Sequence, residues 1–242
     1  MQVDRRQRYL DAVGITRYVP RERHLTDDQQ PFVEIPEVEK QSPTASRSPL
    51  TQDKDSAALE WKTLKSEVST CTACALHRTR TNTVFGVGDE AAQLMIVGEG
   101  PGADEDRQGE PFVGKAGQLL NAMLGAIGFR RESVYIANIV KCRPPGNRNP
   151  STEEAVSCRP FLERQMDLVK PKVILALGGV AAHNLLNSDE AVGRLRTHQH
   201  FYSASRTPLM VTYHPAYLLR RPEEKAKVWQ DLQKLYSMLH AD

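Results

Sequence analysis

Cysteine is scarce in this chain, four in 242 residues, which excludes a small secreted scaffold held together by disulfides. Long apolar runs are missing: no stretch approaches the length of a membrane span, and the charged N-terminus lacks the apolar core of a secretory signal. A strong charge of either sign is missing too, and a formal net charge of +2 does not by itself imply a nucleic-acid partner. These absences leave a cytoplasmic protein, away from membranes, of one large domain or two small ones.

The few cysteines that are present carry information. They stand as Cys71-x-x-Cys74, Cys142 and Cys158, with none left over. A complete set of four thiols looks like one metal site, and thiolates select zinc or iron–sulfur clusters. Structural zinc usually takes two close C-x-x-C knuckles. Here sixty-seven residues separate Cys74 from Cys142, and fifteen separate Cys142 from Cys158. Such a site closes across a whole domain, a geometry that suits a cubane cluster at least as well as zinc. Four unrelated buried thiols are the plain alternative.

Residues 1–55 differ from the rest. Gln29–Asp55 is rich in Pro, Ser, Gln and acids and reads as linker. Residues 1–23 carry six arginines against three acids, which suits either a solvated tail or an arm that touches a polyanion. From residue 56 to 242 the pattern is that of one domain. Apolar runs at Leu94–Val97, Val134–Val140, Val173–Leu177 and Leu209–Thr212 predict strands. Helical spacing predicts helices at Ala57–Val68, Ala116–Ile127, Thr152–Val169, Val180–Leu186 and Glu223–Leu239. Alternation of this kind implies an α/β fold, a parallel sheet with helices on both faces, and ligands bound at the carboxyl ends of its strands.

Those strand ends hold the chemistry. Gly98–Ala103 matches G-x-G-x-x-A, a dinucleotide signature, but a helix should open at once after such a loop. Asp104–Pro111 is acidic and broken by Gly and Pro, so no such helix is expected, and the glycines suggest close approach to a small ligand instead. Phe112, in a Gly/Pro-rich loop, is either core or a stacking wall for a planar ligand. Asn138 ends the second strand with an amide that can donate and accept at once. His214 follows the fourth strand, an even choice between a structural and a functional histidine. Lys141, Arg143, Arg148, Arg220 and Arg221 form a candidate phosphate-contacting rim. Leu218 and Leu219 are either an apolar wedge between bases or the start of a core-packed helix.

Four segments taken together, Gly98-Glu-Gly-Pro-Gly102, Glu110-Pro-Phe-Val-Gly114, Asn138-Ile-Val-Lys-Cys-Arg-Pro144 and His214-Pro-Ala-Tyr-Leu-Leu-Arg220, resemble the family 4 uracil-DNA glycosylases, as does the cysteine set. The resemblance covers roughly Leu59 to Leu239. It implies a three-layer sandwich around a central four-stranded parallel sheet. It also implies a [4Fe–4S] cluster on Cys71, Cys74, Cys142 and Cys158, and removal of uracil from DNA by a monomer. Glu99 and Gly100 would lie against the base and sugar, Phe112 would stack on the flipped uracil, and Asn138 would read its edge. His214 would donate to uracil O2, and Lys141, Arg143, Arg148, Leu218 and Arg220 would touch DNA, with Leu218 as the wedge. A covalently trapping branch of the superfamily carries a histidine in the basic loop, and Arg143–Pro150 has none. Two readings compete with this one: a metal-cluster nucleic-acid module without catalysis, and a nucleotide-cofactor enzyme.

Overall fold

Apolar residues on both faces of each central strand require cover from both sides, and that requirement builds the fold. A computed structural model of the chain describes residues 54–240; the extension expected over 1–55 lies outside them apart from its last two residues, Lys54 and Asp55. Four parallel strands form the centre: β2 (Leu94–Gly98), β3 (Tyr135–Asn138), β4 (Val173–Leu177) and β6 (Pro208–Thr212). Two-residue antiparallel strands, β1 (Val87–Gly88) and β5 (His200–Phe201), flank them, giving the order β1-β3-β2-β4-β6-β5. The parallel core is the one expected. The edge strands are too short to show an alternating pattern in the sequence.

Alternation along β2 separates the two cores. Met95 and Val97 pack with α1 (Lys54–Thr70), α4 (Thr152–Val169) and α5 (Gly178–Leu186). Leu94 and Ile96 pack with α3 (Lys115–Ala126), α7 (Pro215–Arg220) and α8 (Lys225–His240). The result is a three-layer sandwich. No described helix is long and apolar enough to cross a membrane.

One expectation fails here. A helix, α2 (Ala103–Gln108), does open directly after Gly102. Asp104, Glu105 and Asp106 sit in its first turn, where acids favour the positive end of a helix dipole. Gly109 closes it with φ of 75°, a left-handed cap that suits glycine. The acids read as disruptive are stabilising at that position. A short helix α6 (Val192–Leu195) precedes β5.

Candidate active site

The carboxyl ends of β2, β3 and β6 meet around a cavity of about 480 Å³, walled by Glu99, Gly100, Phe112, Asn138 and His214, with Arg148 and Arg220 at its mouth. Glycines make the approach possible. A Cβ at Gly98 would lie 2.5 Å from Asn138 Oδ1 and 2.7 Å from the Phe112 ring, so only glycine lets both side chains converge there. Phe112 itself sits at φ of 54°, a left-handed conformation uncommon for a bulky residue. Its backbone is held from two sides. A Cβ at Gly117 would fall 1.7 Å from the Phe112 carbonyl oxygen, so helix α3 can press against the loop only through glycine. Arg131 donates to that same oxygen at 3.3 Å, to Glu110 at 2.9 Å, and to the Pro111 carbonyl.

Asn138 is buried, and its Oδ1 has no hydrogen-bond partner among the described residues. An orphaned amide oxygen inside a protein is costly, and one that lines a cavity is poised for a ligand. Across the cavity, His214 caps α7: its Nδ1 accepts from the Ala216 amide at 3.1 Å. A nitrogen that accepts carries no proton, so the proton resides on Nε2 and the ring is neutral. Burial, reinforced by Arg220 and opposed by Glu105, lowers the His214 pKa to about 4. The Phe112 and His214 rings lie 5.6 Å apart between centroids. Burial also raises the Glu99 carboxyl above its usual range. The cavity thus combines an aromatic wall, an unsatisfied amide, a neutral N–H donor and a carboxylate.

The model of the uracil DNA glycosylase superfamily matches residues 85–233, the stretch that supplies every wall of this cavity. The chain belongs to that superfamily. Within it, the chain is 45% identical to a type-4 uracil-DNA glycosylase of Archaeoglobus fulgidus, over 70% of this chain and 88% of that one. It is 42% identical to a type-4 uracil-DNA glycosylase of Thermotoga maritima, over 71% and 91% of the two chains. A type-5 uracil-DNA glycosylase of Pyrobaculum aerophilum is 32% identical over 53% of this chain. These likenesses place the chain on the type-4 branch.

Two residues assigned to DNA contact by sequence lie elsewhere. Lys141 is 1% exposed, and its Nζ donates inward to the Asn138 carbonyl at 2.9 Å and to Gln165 Oε1 at 2.6 Å. Burial lowers its pKa to about 8. Leu218 is 1% exposed and belongs to the core beneath the sheet, whereas Leu219 is 45% exposed. The reason is helical: consecutive residues of α7 point about 100° apart, so only one of the pair can face out. Arg148 and Arg220 are exposed and border the cavity, and Arg148 is engaged by Glu154 through two bonds of 2.7 and 2.8 Å. Arg143 donates to Asn147 at 2.6 Å on the same loop.

Sequence reasoning missed Glu105. Its Oε1 accepts from the amides of Val113 and Gly114 at 3.0 and 3.2 Å, and its Oε2 from Gly102 at 3.1 Å. One carboxylate therefore fastens the Gly98–Gly102 loop to the Phe112 loop. It also occupies the Gly102 amide at the N-terminus of α2 and sets a carboxylate where a pyrophosphate would lie, which argues against the nucleotide-cofactor reading. The signal available was spacing: a capping residue followed three positions later by Glu.

The four cysteines, all unbridged, line a second small cavity. Cys71 and Cys74 follow α1, Cys142 follows β3, and Cys158 lies in α4. Each of three sulfurs has an N–H donor: Arg80 to Cys142 at 3.2 Å, the Lys141 amide to Cys158 at 3.3 Å, and the Ala73 amide to Cys71 at 3.5 Å. Such donors favour the thiolate form. Burial pushes the Cys158 thiol up to about 11, so ionisation there calls for a metal. Among the described residues no three His, Cys, Asp or Glu side chains draw close enough to hold a single ion. Four thiols lining one small cavity are a soft-ligand set, the chemistry that holds zinc or an iron–sulfur cluster.

Proposed function

We propose that this chain is a DNA-repair glycosylase that hydrolyses the N-glycosidic bond of deoxyuridine in DNA, releasing uracil and leaving an abasic site. The observation that carries the reading is the buried, unpartnered Asn138 amide facing a cavity with an aromatic wall and a neutral histidine. Uracil offers an acceptor at O4 beside a donor at N3, and one amide satisfies both. Cytosine reverses the two, so the same amide rejects it. A base must leave the stack to reach this cavity, and Phe112 supplies the surface that replaces its stacking. Bond breakage develops negative charge on uracil O2 and positive charge on the sugar. His214 Nε2–H, already neutral and aimed by its cap, donates to O2 as that charge grows. Glu99 faces the sugar side, where a carboxylate stabilises the cation and orients water.

Residues 56–242 form the catalytic domain, and residues 1–55 lie outside it. Cys71, Cys74, Cys142 and Cys158 hold a [4Fe–4S] cluster. When bound, the cluster supplies a cross-link that ties the Arg143–Arg148 loop to α1 and α4. Bond cleavage uses only Glu99, Asn138 and His214. Arg143, Arg148 and Arg220 contact phosphates, and the exposed Leu219, in place of Leu218, enters the duplex. Accordingly, Leu219→Ala leaves stability within about 0.5 kcal/mol while weakening duplex binding. Leu218→Ala costs about 2–5 kcal/mol in denaturant melts. Equal stability losses in both would remove the distinction. The function itself is tested by incubating metal-loaded protein with a uracil-containing oligonucleotide and probing for alkali-labile sites. Intact strands would leave only the reading as a binding module without catalysis.

A further inference from the structure

Lys141 poses a problem of charge that the proposed chemistry does not use. Its ammonium is fully buried, and among the described residues no carboxylate lies within 4.0 Å of it. Its hydrogen bonds go to two neutral oxygens, the Asn138 carbonyl and Gln165 Oε1. A buried ammonium with neutral acceptors alone is unfavourable unless negative charge stands nearby. Among the described residues, the one ionisable group whose charge bears on this ammonium is Cys158, which becomes anionic when it ligates a metal. Lys141 lines the four-cysteine cavity, and its own amide donates to Cys158 Sγ. Gln165, in turn, is anchored by donation to the Phe85 carbonyl at 2.9 Å and to the Tyr135 hydroxyl at 3.0 Å. The ammonium is therefore fixed against the Asn138 backbone, while the same residue's amide holds Cys158 of the four-cysteine site.

We propose that Lys141 is a positioning residue that couples the metallated four-cysteine site to the base-reading Asn138, the negative charge of the ligated thiolates acting as its counterion. The coupling rests on the reading of Asn138 as a uracil contact. Loss of the metal would leave the ammonium uncompensated and free the end of β3. By reciprocity, uracil in the pocket, by holding Asn138, must tighten the metal site.

The test measures metal release from the purified holoprotein into a coloured chelator, with and without free uracil, which enters the pocket without the phosphates that DNA would bring to the basic loop. Wild type is expected to release metal about fivefold more slowly with saturating uracil. Lys141→Met, similar in volume but uncharged, is expected to release metal at one rate regardless of uracil. A simple loss of stability would raise both rates and preserve their ratio, so retained protection in Lys141→Met overturns the coupling. Absence of protection in wild type overturns it without any variant. Should Lys141→Met fail to fold, Gln165→Glu gives the ammonium a local counterion and is expected to reduce the protection to less than half; undiminished protection counts against the proposal. A wild-type protein that cleaves uracil-DNA normally yet shows no protection loses the coupling alone. One that does not cleave uracil-DNA loses the function.

Discussion

His214→Ala is expected to slow uracil release by about 10²–10³-fold under single-turnover conditions, with affinity for uracil-free DNA changed less than about threefold. The asymmetry follows from where the histidine acts. Its Nε2–H meets a charge that exists only as the bond breaks, so its loss raises the barrier rather than weakening the encounter. The same geometry sets a pH profile. In the folded protein His214 takes up no second proton until the pH nears 4, whereas an unfolded histidine takes one near 6.5. Cleavage should therefore show no loss attributable to His214 between pH 8 and about pH 5, then fall as the pH passes through about 4. Protonation at Nδ1 would break the cap to Ala216 and turn the ring. Over the window from about 6.5 down to about 4 the unfolded chain binds the extra proton, so this group's contribution to stability declines as the pH falls. A limb in the wild-type profile near pH 6.5 that disappears in His214→Ala would show an imidazole of ordinary pKa and remove the assignment of a neutral donor. Equal losses in cleavage and DNA binding would mark the histidine as structural.

Asn138→Asp should reduce kcat/KM for uracil excision by about 10²-fold or more, because the donor to O4 is replaced by an acceptor that repels it. The buried carboxylate would also stand near Glu99, whose own carboxyl is already raised by burial. A carboxylate accepts from the amino group of cytosine, so the ratio of uracil to cytosine excision should fall with it. Paired single-turnover assays on uracil- and cytosine-containing strands would measure both. Unchanged discrimination would mean that another group reads the base.

Much of the site was legible because its residues follow strands directly. Glu99 and Gly100 follow β2, Asn138 ends β3, and His214 stands two residues beyond β6. Once the apolar runs were read as parallel strands, the fold itself carried these positions to one edge. The second tier of residues was not legible in the same way. Arg131 and Gly117 hold the backbone of Phe112, and Glu105 joins two loops, through bonds that span eight to nineteen residues. Nothing in local composition marks those partners.

The sequence alone determined the layered α/β architecture, the strand-end location of the pocket and the four thiols as one set, because each depends on local periodicity or on residue type. Tertiary structure alone decided the direction of side chains. Leu218 and Leu219 are chemically identical, and Lys141 and Arg143 are both cations on one loop, yet the turn of α7 and the turn after β3 send one of each pair inward. Burial is a property of what packs against a residue, and for Lys141 that is Gln165, twenty-four positions away in the chain.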